Sequence, residues 1–199
     1  MKKISIHEKD CINEIVKVLQ NGGVVMHPTE TCYGFAADIF DKDAIEKIYK
    51  IKGRDEKKPF SILVDSYEMG QEYGVFSDMA RGLAQKYWPG PLSIVVPRTD
   101  KLPKFFNPTE NFVAMRVSKD PLCIKIPYFL NRPVITTSAN SYGLDPLYSC
   151  NDLSQFGDRA EMIDLIVDGG QISINKPSTI VKVEGDQIQI LRRGSITVE

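Results

Sequence analysis

A chain of 199 residues with 42% hydrophobic and 26% charged side chains can bury the core of one folded domain, and its composition argues against disorder. Its 25 basic and 26 acidic residues leave a formal charge of −1, so no global field draws nucleic acid, and RNA affinity would need a local basic patch. Cys11, Cys32, Cys123 and Cys150 are widely spaced and accompanied only by His7 and His27, which argues against structural zinc, and no window reaches the length of a membrane span; four free thiols in the cytoplasm are expected.

Ile12, Ile15, Val16 and Leu19 recur at helical spacing between Glu8 and Gln20, and Asn21-Gly22-Gly23 ends that helix. The strand Val24-Val25-Met26 follows and is stopped by Pro28. Thr29, Glu30 and Thr31 then offer two hydroxyls and a carboxylate, and Gly34 permits close backbone approach. His27–Gly34 reads either as a binding turn or as a helix-capping connection. Asp41 caps a second helix with Ala44, Ile45 and Ile48 inward, running to Gly53, and the charged connection Arg54–Lys58 leads into the strand Phe60–Val64. Ser77 caps a helix carrying Ala80, Leu83, Ala84 and Tyr87, closed by the rigid turn Trp88-Pro-Gly-Pro91 before the strand Leu92–Val96.

Residues 99–111 read as a loop before the apolar strand Phe112–Val117, which carries Arg116. Asp120-Pro121 starts a helix that Pro127 should kink or end early. The strand Val134–Ser138 empties into a second polar turn, Ala139–Gly143, and residues 145–158 look irregular. A strand and turn at Leu165–Gly170 precede a hairpin in which Ser178–Val183 pairs with Gln187–Leu191. Strands interleaved with helices predict an α/β fold with a mixed sheet, as one domain over 1–199.

The sequence contains no G-x-x-x-x-G-K-[ST], no G-x-G-x-x-G and no G-x-S-x-G. What remains is a set of cations and hydroxyls at strand ends: Lys52, Arg54 and Lys58, then Arg116, then Thr137, Ser138 and Asn140, then Ser178 and Arg192. If these converge they bind a polyanion, each charged hydrogen bond contributing roughly 1.5 to 3 kcal/mol. Taken singly, Lys52, Lys58 and Arg192 read as solvated charges, and Ser138 with Asn140 reads equally well as a turn. Arg116 differs, because an arginine in an apolar strand needs a buried partner or a ligand. His27 reads as a satisfied polar residue, and Tyr33, Trp88 and the cysteines as packing.

Together these stretches resemble the YrdC-like family of L-threonylcarbamoyladenylate synthases over about Ile12 to Gly194. Pro28-Thr-Glu-Thr-Cys-Tyr-Gly34 is similar to the family's P-T-E-T-x-Y-G, and Lys52-Gly-Arg54 to its K-x-R. Trp88-Pro-Gly-Pro-Leu92, Ser138-Ala-Asn140, and Pro177-Ser-Thr179 with Leu191-Arg192 follow in the family's order. The resemblance implies a twisted mixed sheet with a concave basic cavity, and a nucleotidyl transfer in which threonine, bicarbonate and ATP give threonylcarbamoyl-AMP and pyrophosphate for tRNA modification. It implies Mg²⁺ entering with ATP, no tightly bound protein metal site, and partners among tRNA or tRNA-modification proteins. Carried over by motif, Thr31, Arg116, Thr137 and Ser178 contact threonine, while Arg54, Lys58, Ala139 and Arg192 contact ATP. Lys52, Arg54, Ser138 and Asn140 form the catalytic signature, expected to act by positioning and charge screening without a covalent intermediate.

Several positions depart from the family pattern. Leu63 stands where some members have a threonine-contacting histidine, Phe112 where some have an ATP-contacting threonine, and Tyr142, Leu147 and Tyr148 alter the tail after Asn140. Phe112 is still expected to stack on adenine. These departures motivate a same-fold enzyme acting on another acyl or carbamoyl acceptor as an alternative, with an RNA-binding module as another. The additional C-terminal domain of longer members is not expected.

Overall fold

The computed structural model describes residues 1–55 and 58–198; Glu56 and Lys57, in the middle of the charged connection, lie outside the described residues. Ten strands form one sheet in the order β1-β8-β2-β3-β7-β4-β6-β5-β9-β10. They are β1 (Lys2–Ser5), β2 (Val25–Pro28), β3 (Tyr33–Ala36), β4 (Ser61–Leu63), β5 (Leu92–Pro97), β6 (Phe112–Arg116), β7 (Val134–Ser138), β8 (Leu165–Asp168), β9 (Thr179–Glu184) and β10 (Gln187–Arg192). Parallel pairs such as β4–β6 and β5–β9 alternate with antiparallel ones such as β3–β7 and β5–β6, which makes the sheet mixed, as expected.

Five helices flank it: α1 (Cys11–Gln20), α2 (Lys42–Lys52), α3 (Tyr67–Tyr73), α4 (Asp78–Tyr87) and α5 (Pro121–Leu130). Asp41 and Ser77 cap α2 and α4 as their sequence positions predict, each side chain accepting an N–H from Ala44 and Ala80 respectively. Gly53 ends α2 in the left-handed conformation. Pro127 does not end α5, which runs three residues further. Asn131, left-handed at the end of the helix, returns its N–H to the Pro127 and Tyr128 carbonyls and satisfies the last turn. Within the stretch 145–158 that was expected to be irregular, a 3₁₀ segment starts at Ser154, runs to Met162 and is kinked at Gly157.

The strand pattern explains where the site lies. Side chains alternate between the two faces of a strand, so one set of strand positions (Met26, Phe35, Ile62, Ile94, Met115, Ile135, Val181) packs under α2, α4 and the 3₁₀ segment. The other set meets α1 and α5 at one end of the sheet, through Val25, Ala36, Leu63 and Val134 against Ile15, Leu19, Leu122 and Ile126. Burying each such aliphatic chain stabilises the fold by about 1.5 to 3 kcal/mol. Further along, this second face carries Gly34, Ser61, Ser93, Arg116, Thr136, Ser138 and Ile180. Their small and polar side chains form the floor of a cavity instead of a helix-packing surface. Among the described residues no helix is long and apolar enough to cross a membrane, and no group of three potential ligands could hold a metal ion.

Candidate functional site

The cavity has a volume of about 540 Å³, and three arginines from separate segments, Arg54, Arg116 and Arg192, line it together with Thr31, Thr137, Ser138 and Ser178. Seven of the eleven residues expected at the site therefore share one hollow. Lys52, Lys58, Ala139 and Asn140 are not on its wall.

Thr29–Cys32 is the tip of an antiparallel hairpin and not a strand-to-helix connection: β2 pairs with β3 from Val25–Ala36 to Pro28–Tyr33. Pro28 fits at the last ladder position, and the Thr29 hydroxyl organises the tip by accepting the N–H of Thr31 at 3.1 Å and of Cys32 at 3.3 Å. This leaves Thr31 facing the cavity and turns Glu30 toward Arg116. The Glu30 carboxylate accepts from Arg116 Nη1 at 2.9 Å and from Ser118 Oγ at 2.6 Å, and both charged side chains are only 7% exposed. Arg116 thus has the buried partner that its place in an apolar strand called for, and it also lines the cavity.

Lys52 is the most constrained member of the set. Its Nζ donates to the Ser138 carbonyl at 2.5 Å, the Asn140 carbonyl at 3.0 Å and Asn140 Oδ1 at 2.9 Å. Burial, and then the nearby Arg54 charge, push its pKa down to about 7. The three acceptors act oppositely, since each takes one N–H of an ammonium, and their arrangement is that of the protonated form. Asn140 Oδ1 also accepts from Ser138 Oγ at 2.6 Å, and Asn140 Nδ2 donates to the Leu144 carbonyl at 2.8 Å. Lys52 and Asn140 therefore hold the Ser138–Asn140 turn from behind, and Ser138 is the member of that turn that reaches the cavity. Ala139 is fully buried, with its N–H on the Tyr33 carbonyl and its C=O taken by Leu147.

On the opposite wall, Arg192 Nε donates to the Ser178 carbonyl at 3.0 Å and its Nη2 to Ser178 Oγ at 2.8 Å. Burial and the neighbouring Arg116 lower its pKa, and a guanidinium remains charged at neutral pH all the same. The flanking Thr179 hydroxyl accepts from Gly194 and Ile196 and donates to the Ile196 carbonyl, which ties the segment after β10 beneath Ser178. Lys58 is exposed and contacts the Tyr142 hydroxyl, with its Nζ 4.2 Å from that ring's centroid.

Of the departing positions, Tyr148 lines the cavity, while Leu63, Phe112, Tyr142 and Leu147 are not on its described wall. Leu63 is fully buried in the core beneath α1 and α5. Phe112 sits at the opposite end of β6 from Arg116, about 13 Å along the strand, and Lys182 Nζ lies 3.8 Å from its ring centroid. Phe60 and Tyr148 are the aromatic rings on the cavity's described wall, with the Arg54 guanidinium 4.9 Å from the Phe60 centroid. Sequence reasoning also missed Ser93, Asp145 and Asn175 on the wall. Of these, only Ser93 carried a signal, as the one polar residue inside an apolar strand.

Comparisons with known proteins bear on the family and the fold. A family model of the Sua5, YciO and YrdC proteins, described as telomere recombination, matches residues 17–194. A putative threonylcarbamoyl-AMP synthase of Methanocaldococcus jannaschii is 29% identical over 191 residues, covering 96% of this chain and 89% of that protein. The threonylcarbamoyl-AMP synthase of Vibrio campbellii is 31% identical, covering 91% of this chain and 97% of its own length. Among solved structures, P. abyssi Sua5 complexed with L-threonine superposes with a TM-score of 0.86 at 28% identity; it covers 97% of this chain, which spans 57% of that longer one. E. coli YciO gives 0.82 at 25% identity, with 97% and 93% covered. By the extent of the family match, the chain belongs to the Sua5/YciO/YrdC family.

Proposed function

We propose that this protein is a threonylcarbamoyl-AMP synthase that joins L-threonine, bicarbonate and ATP. The observation that carries the reading is the convergence of Arg54, Arg116 and Arg192 on one cavity large enough for a nucleotide and an amino acid. The cavity then acts as a basic one, since Asp145 is the single carboxylate on its described wall and Glu30 is already taken by Arg116 and Ser118.

In this reading Arg116, steadied by Glu30, pairs the threonine carboxylate, and Thr31, Thr137 and Ser178 bond its hydroxyl or the carbamate oxygens. The threonine amine and bicarbonate give a carbamate with loss of water. A carbamate oxygen attacks the α-phosphorus of ATP, the α–β phosphoanhydride bond breaks, and pyrophosphate leaves. Arg54 and Arg192 screen the phosphates through this approach of two anions, and Lys52 with Asn140 keeps Ser138 in place. The donor set fits Mg²⁺ that arrives with ATP, because such an ion takes most ligands from water and phosphate and needs one or two carboxylates. Asp145 would hold it, and the ion would supply further charge screening. The product would serve tRNA modification in the cytoplasm.

Leu63, Phe112 and Tyr142, which motivate a different acceptor, all lie off the cavity wall, which favours threonine. Incubation with ATP, Mg²⁺, bicarbonate and labelled threonine is expected to release pyrophosphate in a threonine-dependent manner and to label an AMP adduct. A folded sample that shows no such dependence overturns the reading, and replacing threonine with other amino acids tests the acceptor.

A further inference from the structure

Arg54 bonds its backbone N–H to the Tyr49 carbonyl of α2, while its guanidinium is held by the residues just beyond the charged connection. Its Nη2 donates to the Pro59 carbonyl at 2.8 Å and its guanidinium lies over the Phe60 ring, so its position in the cavity is set by residues 59–60. These precede β4, and Phe60 has no ladder partner. Its backbone is satisfied by one side chain: Phe60 N–H donates to Asn107 Oδ1 at 3.0 Å, and Asn107 Nδ2 donates to the Phe60 carbonyl at 2.8 Å. The amide of Asn107 thus replaces a neighbouring strand for one residue.

Asn107 is itself fixed in space. It is 6% exposed and left-handed at φ 47°, a conformation that asparagine tolerates better than most residues. The surrounding loop is drawn together by Arg98, whose guanidinium donates to five backbone carbonyls, those of Leu102, Pro103, Phe106, Asn107 and Glu110, at 2.7 to 3.4 Å. Leu102 and Phe106 anchor the same loop in the main core. Each link from Arg98 to Arg54 is a hydrogen bond, a ring contact or a covalent step.

We propose that Asn107, presented by the Arg98-centred loop, is a positioning residue for Arg54 and so sets affinity at the nucleotide end of the cavity without touching substrate. The assignment of Arg54 to ATP rests on the proposed function. The test compares wild type, Asn107→Gly, Arg54→Ala and the double variant, reading KM for ATP and for threonine in pyrophosphate release and Kd for ATP by calorimetry. Glycine keeps the left-handed backbone and removes both amide bonds. Asn107→Gly is expected to raise KM and Kd for ATP about tenfold, leaving KM for threonine within about twofold. In the Arg54→Ala background the same change should alter Kd for ATP by less than about twofold.

A tenfold effect that persists without Arg54, equal losses for both substrates, or no effect overturns the proposal. Phe60→Leu covers the case of an Asn107→Gly chain that does not fold: it leaves the loop intact, and the same ATP-selective loss is expected. If wild type binds ATP without threonine-dependent turnover, the proposed reaction fails while the calorimetric comparison still decides the role of Asn107. No ATP binding by wild type overturns both.

Discussion

Arg116 already binds a carboxylate of the protein itself, that of Glu30. Because Arg116 and Glu30 are both 7% exposed, removing one partner leaves an uncompensated charge in a poorly solvated place. Arg116→Ala is expected to cost about 3 to 5 kcal/mol of stability, whereas Arg116→Ala combined with Glu30→Gln should recover most of that loss and leave threonine use abolished. Urea midpoints and threonine-dependent turnover on the three proteins check both halves; a double variant as unstable as the single one contradicts the account. In the sequence, Arg116 was legible because an arginine among apolar strand residues demands an explanation. Glu30 was visible only as one more polar group in the hairpin tip, since nothing in one dimension shows that residues 30 and 116 meet. Asn175 was hidden for a plainer reason: an isolated polar residue looks the same on a cavity wall as on a solvated loop.

Elements with both a period and a cap were legible, as α2 and α4 show with Asp41 and Ser77 at their starts. Period alone sufficed for α1, which has no side-chain cap, but elements without a readable period were not legible. Strand β3, Tyr33-Gly-Phe-Ala36, is buried at all four positions and has no alternation to read, so the hairpin it completes was taken for a free-standing turn. Helix α3 spans seven residues, too few for helical spacing to show. The segment after β10 matters beyond its lack of regular structure. A Cβ on Gly194 would fall 2.2 Å from the Pro177 carbonyl oxygen and 2.5 Å from backbone atoms of Ser178 and Thr179. Backbone cannot turn aside as a side-chain tip can, so Gly194→Ala must displace Ser178 and, with it, Arg192. The expected outcome is a loss of about 1 to 3 kcal/mol in stability together with a raised KM for threonine. A variant with unchanged threonine KM shows that the tie beneath Ser178 does not govern the site.

At the scale of the molecule, fold class and the five motifs in the family's order were legible, but the order of strands was not, since β8 inserts between β1 and β2, and β7 between β3 and β4. His27 lies on β2, between β8 and β3, fully buried, with Nδ1 2.9 Å from the Pro28 carbonyl and Nε2 without a partner among the described residues. Burial lowers its pKa below 6.5, the Pro28 contact opposing the shift only in part. The sign follows directly: below pH 6.5 the unfolded chain takes up a proton that the folded chain refuses, so stability is full above 6.5 and falls as the pH drops toward the folded value. Between pH 7.5 and 5.5 wild type should lose roughly 1 kcal/mol more than His27→Asn, whose amide can still donate to Pro28. Equal losses in urea titrations at the two pH values remove His27 from the acid response.

The cavity floor is the reverse side of the main core, residue for residue along the same strands: Ser61 adjoins Ile62, Ser93 adjoins Ile94, and Arg116 adjoins Met115. Catalytic and structural selection therefore act on one set of strands whose registers cannot slip by a single position. Retuning the amino acid this scaffold accepts is a task for the hairpin tip and the stretches around Asp145 and Asn175, where sequence can drift without reversing a strand.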